Sequence, residues 1–215
     1  MYVKNKMTKD PFVIDVNANI NEAIDLMSEH NLHRLPVVEN NKLVGLITKG
    51  TISKSGANKA TSLSIFELNY LLSKTRIKTV MVKDVITIKE DSLLEEAAMI
   101  MRKNDIGCLP VINDQNETVG ILTQNDLFGA FLDLLGYSEV GSRICIEVED
   151  SIGVIGKISK VFVRNNANIS HIGVYRDNGC QLVVRVDLLD TKALVDDLKA
   201  SGYHIISVLN NTKED

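Results

Sequence analysis

Gly107-Cys108-Leu109-Pro110-Val111-Ile112, followed eight residues later by Gly120-Ile121-Leu122-Thr123-Gln124-Asn125-Asp126-Leu127, decides the fold. It reads as an apolar strand, a polar hairpin turn, a second apolar strand, and a helix opened by Thr123 and Asp126. An earlier copy lies at His33-Arg34-Leu35-Pro36-Val37-Val38, then Gly45-Leu46-Ile47-Thr48-Lys49-Gly50-Thr51-Ile52. The copies differ at telling places. Thr51 stands where the second has Asp126, and His33-Arg34 where the second has Gly107-Cys108.

Working outward, the repeat extends over most of the first 135 residues. Met7-Thr8-Lys9-Asp10 matches Met81-Val82-Lys83-Asp84, 74 positions on. At that shift Glu22-Ala23 meets Glu96-Ala97, Met27 meets Met101, and Leu35-Pro36-Val37 meets Leu109-Pro110-Val111. After the turn the shift becomes 75, an insertion of the kind a loop tip tolerates. Each copy begins with a short extended segment, Asp10 to Val16 and Asp84 to Lys89. The spacing then predicts helices over Ile20 to His30 and Leu94 to Asn104. Asn19 with Glu22, and Ser92 with Glu95, have capping-box spacing. Ile20, Ala23, Ile24 and Met27 form one apolar stripe, and Leu94, Ala97, Ala98 and Met101 another. Pro36 and Pro110 each begin a strand, where a missing N–H costs little.

Between the copies, Ser53 to Ser62 is rich in Ser, Gly, Asn and Lys and reads as a loop. Ser64-Ile65-Phe66-Glu67 has capping-box spacing and opens a helix through Leu72 or Ser73. The second copy ends in a helix from Asn125 to Leu135, stopped by Gly136.

After Ser138 the pattern changes. Ser142 to Val148 alternates as a strand with Ile144, Ile146 and Val148 on one face. Asp150-Ser151-Ile152-Gly153 opens a helix to about Asn165, with Ile155, Ile158, Val161 and Phe162 as its core stripe. Ala167 to Tyr175 is a strand, Arg176-Asp177-Asn178-Gly179 a hairpin turn, and Gln181 to Leu188 the return strand. Thr191 to Ser201 is a helix ended by Gly202, and His204 to Leu209 a last strand. The order β-α-β-β-α-β is a ferredoxin-like split unit.

The pattern M-x-x-D, x-E-A, I-x-x-L-P-V and V-G-I-L-T-x-x-D-L resembles the cystathionine-β-synthase (CBS) domain, and it occurs twice in order. The resemblance implies a pair packed by pseudo-twofold symmetry, a Bateman module, over about residues 1–135. E-D-S-I-G-V-I followed by N-A-N-I-S resembles an ACT domain, a small regulatory module often associated with amino acids. The whole order is similar to the acetoin-utilization regulator type of bacterial protein. The expected fold is therefore α/β (α+β): a CBS-domain pair followed by a ferredoxin-like βαββαβ ACT domain. The expected divisions are 1–73 (first CBS domain with linker helix), 74–137 (second) and 138–215 (ACT-like).

Composition bounds the function. Net charge is −4 with pI about 5.6, so nucleic acid is not an expected partner. No run of 18 apolar residues suggests a membrane span, and the first residues lack a signal-peptide pattern. Cys108, Cys145 and Cys180 form no C-x-x-C pair and are expected as small buried thiols, fitting a reducing cytoplasm. No phosphate loop, H-E-x-x-H or G-x-S-x-G occurs, and no His/Cys cluster has metal-ligand spacing. The expectation is a regulator, not an enzyme.

A nucleotide site is expected at the repeats. A ribose diol needs a bidentate acceptor, which Asp126 offers. Thr123 can turn a hydroxyl and a helix-start N–H toward a phosphate. Ile86-Thr87 and Leu109-Pro110 offer an apolar slot with backbone edges for adenine. The resemblance implies that Asp126 is met across the pseudo-twofold axis by His33 and Arg34. The opposite site would set Thr51 against Gly107-Cys108, without carboxylate or cation, and is expected to be degenerate. Plainer readings stand beside these. Asp126 suits the first turn of a helix whatever it binds, Arg34 suits a surface ion pair, and Thr123 suits a helix end. In the third segment, Asp150 and Gly153 are candidates for an amino-acid effector, or simply what a tight helix start needs.

No cofactor is required. The expected ligand is an adenine nucleotide of the AMP, ADP or ATP type, with Mg²⁺ only as a companion of ATP. A cyclic dinucleotide, S-adenosylmethionine, or an amino-acid-responsive scaffold are the alternatives. A homodimer, through the CBS helices and ACT edge strands, and a regulated protein are the expected partners. Nucleotide occupancy would be relayed through Gly136 to the third segment.

Overall fold

The computed structural model describes residues 1–57, 65–177 and 179–212. Two compact units result, Met1–Leu127 and Phe128–Asp215.

In the first unit the first copy runs β1 (Thr8–Lys9), β2 (Ile14–Asp15), α1 (Ile20–Glu29), β3 (Arg34–Glu39), β4 (Lys42–Thr48), α2 (Lys49–Ala57) and α3 (Ile65–Lys74). The second runs β5 (Ile88–Lys89), α4 (Leu94–Asn104), β6 (Cys108–Ile112), β7 (Thr118–Thr123) and α5 (Gln124–Leu134), whose last turns enter the second unit. The sheets are ordered β2-β3-β4 and β1-β7-β6-β5. In each copy a short strand runs parallel to the first hairpin strand, and the hairpin is antiparallel with a register shift near its turn.

The start of each copy crosses to the other. Thr8 and Lys9 pair with Ile121 and Gly120, so β1 belongs to the second sheet. Symmetrically, Val82 and Leu46 exchange both backbone bonds at 2.9 Å. The core of the first copy holds Ile20, Ala23, Met27, Leu35, Val37 and Ile47. Each helix stripe has one member outside: Ile24 is 36% exposed, and Ala98 is exposed.

Local signals explain the helix starts. Asn19 accepts from the Glu22 N–H at 3.1 Å, and Glu22 accepts from the Asn19 N–H at 3.2 Å, a complete capping box. The box expected at Ser92 and Glu95 does not form. The N-cap is Leu93, without a side-chain cap bond. Leu93 is the repeat equivalent of Asn19, so the repeat register, not the nearest serine, sets where α4 begins.

The loop expected over Ser53 to Ser62 is helical as far as Ala57. Reciprocal Thr48–Thr51 bonds start α2, and Ile52 is buried against the sheet, which carries the polar turn that follows. Residues 58–64 lie outside the described residues, so Ser64 of the expected capping box does too. The helix that follows starts at Ile65 and runs to Lys74.

The second unit runs β8 (Gly141–Val148), α6 (Val154–Arg164), β9 (Ile169–Tyr175), β10 (Cys180–Val186), α7 (Lys192–Ala200) and β11 (His204–Asn211). Its sheet is antiparallel in the order β11-β8-β10-β9. Ile144, Ile146 and Val148 pack with Ile158, Val161 and Phe162 of α6 and with Leu194 and Leu198 of α7, so both helices cover one face. Ile155, expected in the α6 stripe, is exposed. Helix α6 starts after Gly153, whose φ of +83° a side chain would strain, and not at Asp150. Asn178 of the expected turn lies outside the described residues; its neighbour Gly179 has φ +92°. Gly136 closes α5 with φ +61°, while Tyr137 N–H reaches Leu132 O at 3.0 Å and Gly136 N–H reaches Asp133 O at 3.0 Å, a Schellman end. All three cysteines are free and buried.

Candidate functional site

Two clefts related by the repeat open in the first unit. Crossing of the chain starts builds both. Because β1 pairs with β7, the residues after it, Asp10, Pro11 and Phe12, lie beside Thr123, Gln124 and Asn125 of the second copy. Because Val82 pairs with Leu46, Asp84, Val85 and Ile86 lie beside Thr48, Lys49, Gly50 and Thr51 of the first. The cavities measure about 430 Å³ and about 490 Å³. His33, Arg34 and Gly107 line both.

Arg34 sits at the join. Its guanidinium lies over Gly107: Nη1 is 3.2 Å and Nη2 3.7 Å from where a Gly107 Cβ would be, with Gln124 Oε1 at 3.5 Å. A Cβ at position 107 would press on it, so that the guanidinium must give by a few tenths of an ångström. Arg34 is half-buried, and its side chain forms no hydrogen bond or ion pair among the described residues. His33 is exposed. Phe12 is 48% exposed and stacks on the His30 ring with centroids 3.9 Å apart.

Asp126 and Thr123 form a cap. Asp126 Oδ2 accepts from the Thr123 N–H and from its Oγ1–H, both at 2.7 Å. Asp126 N–H lies 3.4 Å from Thr123 Oγ1. Thr48 and Thr51 repeat the arrangement, with hydroxyls in place of the carboxylate, at 2.9 and 3.0 Å. The N–H and hydroxyl of Thr123 expected to face a phosphate are thus turned to Asp126. Thr123 still lines the first cleft, and Asp126 does not. Oδ1 of Asp126 makes no bond among the described residues.

The residues expected to hold adenine are not gathered with Thr123. Ile86 lines the opposite cleft, carried there by the Val82–Leu46 pairing. Thr87 lines neither cleft, and Leu109 is fully buried in the core. Pro110 lines neither, whereas its equivalent Pro36 lines the first. The position equivalent to Ile86 in the first cleft is Phe12, which the repeat shift of 74 marks in the sequence. Nor does the opposite cleft lack a cation. Because Gly107 has no side chain, Arg34 reaches across, and Lys49 joins it with Asp84.

The repeated hairpins, the exchanged chain starts and the paired clefts coincide with a family match: the CBS domain family matches residues 3–57 and 77–133. The chain belongs to the CBS-domain family. It is 37% identical over 128 residues to a homoserine O-acetyltransferase of Methanocorpusculum labreanum. That match covers 59% of this chain but 23% of the enzyme, so the chain spans about a quarter of that relative's length. Among solved structures, it resembles the CBS domain pair of protein MJ0100 in complex with 5′-methylthioadenosine and S-adenosyl-L-methionine. The TM-score is 0.53 and the identity 32%, over 61% of this chain and 99% of that one. It also resembles a Vibrio cholerae protein assigned to acetoin utilization (AcuB), with TM-score 0.53 and 28% identity over 63% of this chain and 93% of that one. A third is CBSX2 in complex with AMP, TM-score 0.52 and 25% identity, over 61% of this chain and 96% of that one.

In the second unit, Asp150 is held by Arg176. The guanidinium donates from Nε at 2.8 Å and from an Nη at 3.3 Å. That hydrogen bond, and then the charge, hold the Asp150 carboxyl below its ordinary value and raise the guanidinium's. Gly153 stands at an open helix start, where a Cβ would meet nothing within 4 Å. Among the described residues, no group of three or more His, Cys, Asp or Glu could hold a metal ion, and no helix is long and apolar enough to cross a membrane.

Proposed function

We infer that the CBS pair binds an adenosine-containing ligand carrying negative charge, and that occupancy is a regulatory signal rather than a catalytic step. Arg34 carries this reading. A half-buried guanidinium without an acid partner is costly to keep, and an arriving phosphate would neutralise it. Pro11 and the exposed Phe12 face the same cleft and offer an apolar wall for a base. A cavity of about 430 Å³ suits a small-molecule site. Asp126 keeps Oδ1 as an acceptor for a ribose hydroxyl, one residue beyond the cleft-lining Asn125. Mg²⁺ would enter only with ATP.

The ligands named for the related structures, 5′-methylthioadenosine, S-adenosyl-L-methionine and AMP, share adenosine, which supports that part of the reading. The second unit, with its β11-β8-β10-β9 order, is an ACT-type module on this reading. It would take part in homodimer formation through its edge strands, where Ile172, Val174 and Leu209 are exposed. A role in acetoin utilization and a cytoplasmic location complete the proposal. The amino-acid-responsive scaffold has weaker support, because Asp150 is already paired with Arg176.

Calorimetric titration of the full chain with AMP, ATP, S-adenosylmethionine and a cyclic dinucleotide tests the reading, alongside Arg34→Ala. Binding of AMP or ATP that the variant loses supports it. Absence of binding by every adenosine compound overturns it.

A further inference from the structure

The outer face of the second unit's sheet carries a row of three basic side chains. Arg185 of β10 stands directly opposite Arg143 of β8 on one side and His171 of β9 on the other. The opposed guanidinium charges of Arg143 and Arg185 on neighbouring strands repel. Such a row persists where something neutralises it.

The protein itself supplies little negative charge there. Arg185 is only 8% exposed, and its two Nη atoms donate at 3.3 Å to the carbonyls of Glu139 and Tyr137. Those are dipoles, not charges. Asn211 shares both carbonyls, at 3.0 and 3.1 Å. The Glu139 carboxylate is 3.4 Å from His171 Nδ1. Arg143 meets no acid and forms no side-chain hydrogen bond among the described residues. A cavity of about 80 Å³ opens between these groups, lined by Tyr137, Arg143, His171, Tyr175 and Arg185 among others.

We propose that this cavity is a binding site for one small oxyanion, a phosphate or a carboxylate group, held between Arg143 and Arg185. The cavity is several times the space one water needs and far smaller than either cleft of the CBS pair, so it takes an anionic group and not a nucleotide. Guanidinium forks match the planar carboxylate and the phosphate oxygens. Arg185 is fixed by the two carbonyls, so its geometry is set before the anion arrives. The Gly136 turn also builds the wall. With φ +61° it runs so close to the His171 imidazole that a Cβ there would collide with the ring.

The test uses the full chain in a buffer free of small oxyanions. The ¹⁵N arginine side-chain signals are followed while inorganic phosphate, or separately acetate, is added to the parent, to Arg143→Gln, and to Arg34→Ala. The Arg34→Ala variant removes the guanidinium shared by the two CBS clefts. A saturable shift of the Arg185 signal, kept in Arg34→Ala and weakened roughly tenfold or more in Arg143→Gln, supports the site. Comparing the two titrations tells which anion is preferred. A Gln variant that melts at a higher temperature than the parent only when phosphate is absent supports it too. If neither anion gives a saturable shift of Arg185, or if Arg143→Gln binds as the parent does, the site is absent.

Discussion

The thioether of Met7 occupies the place where a Cβ on Gly120 would lie, and Met81 occupies the same place at Gly45. Each methionine starts one copy of the repeat, and each glycine sits in the second hairpin strand of the other. The backbone is close as well: Thr8 O is 3.2 Å from the Gly120 Cβ position, and Val82 O 3.0 Å from that of Gly45. This is why M-x-x-D and V-G recur together. Small-for-large packing locks the chain starts onto the opposite sheets and so creates both clefts.

Gly120→Ala and Gly45→Ala should therefore destabilise by similar amounts, about 1–3 kcal/mol each, since a methyl group forces the methionine and a backbone carbonyl aside. Urea unfolding midpoints measure this. Adding Met7→Ala to Gly120→Ala should recover part of the loss, whereas adding it to Gly45→Ala should not. Independent losses in both pairs would exclude the packing explanation.

Asp126→Ala removes the acceptor for two Thr123 donors. Without any ligand it should cost about 0.5–2 kcal/mol, as losing a helix cap does. Asp126→Asn keeps an acceptor and should lose less. If nucleotide affinity falls in the Asn variant while its melting temperature stays near the parent's, Asp126 serves the ligand as well as the helix.

Arg34→Gln should weaken AMP or ATP roughly tenfold or more and adenosine much less, because only the phosphate needs the guanidinium. Raising the salt concentration should narrow the difference in the parent. Equal losses for adenosine and AMP would show that Arg34 shapes the cleft rather than receives the phosphate.

Thr118 Oγ1 is buried without a hydrogen-bond partner among the described residues. Thr118→Val keeps the shape and removes the unsatisfied hydroxyl, so the melting temperature should stay or rise. A clear fall in a calorimetric scan would point to a partner for that oxygen in solution.

Arg176 holds the Asp150 carboxyl below its ordinary value. A lowered folded-state value means the pair's contribution is present above the ordinary carboxylate range and disappears as pH falls through the lowered value. Arg176→Gln should return Asp150 toward the ordinary range, seen in a carboxyl ¹³C titration. An unchanged titration would mean the pair does not form in solution.

Legibility in the sequence followed the physical range of each interaction. Helix α4 was legible at both ends, because an apolar stripe and helix propensity are local. Its cap was not: Ser92 has the side chain of an N-cap and Leu93 does not, yet the turn before α4 puts Leu93 at the N-cap. The polar stretch after Thr51 gave no apolar stripe, so the helix through Ala57 was not legible. Arg34 and His33 were recognisable as the odd residues of the repeat. That they line both clefts was not, since it depends on the empty space above Gly107.

The amino-acid sequence by itself determined the repeat, the order of the strands and of every helix but α2, the βαββαβ unit and the helix stop at Gly136, because periodicity, caps and turn residues act within a few positions. Only the tertiary structure decided which cleft each candidate enters. The backbone pairings of Thr8–Lys9 and of Val82 join residues far apart in the chain, and they carry Phe12 to Thr123 and Ile86 to Thr48. It likewise decided that Arg143, Arg185 and His171 stand in one row, since cross-strand register is set by the whole sheet.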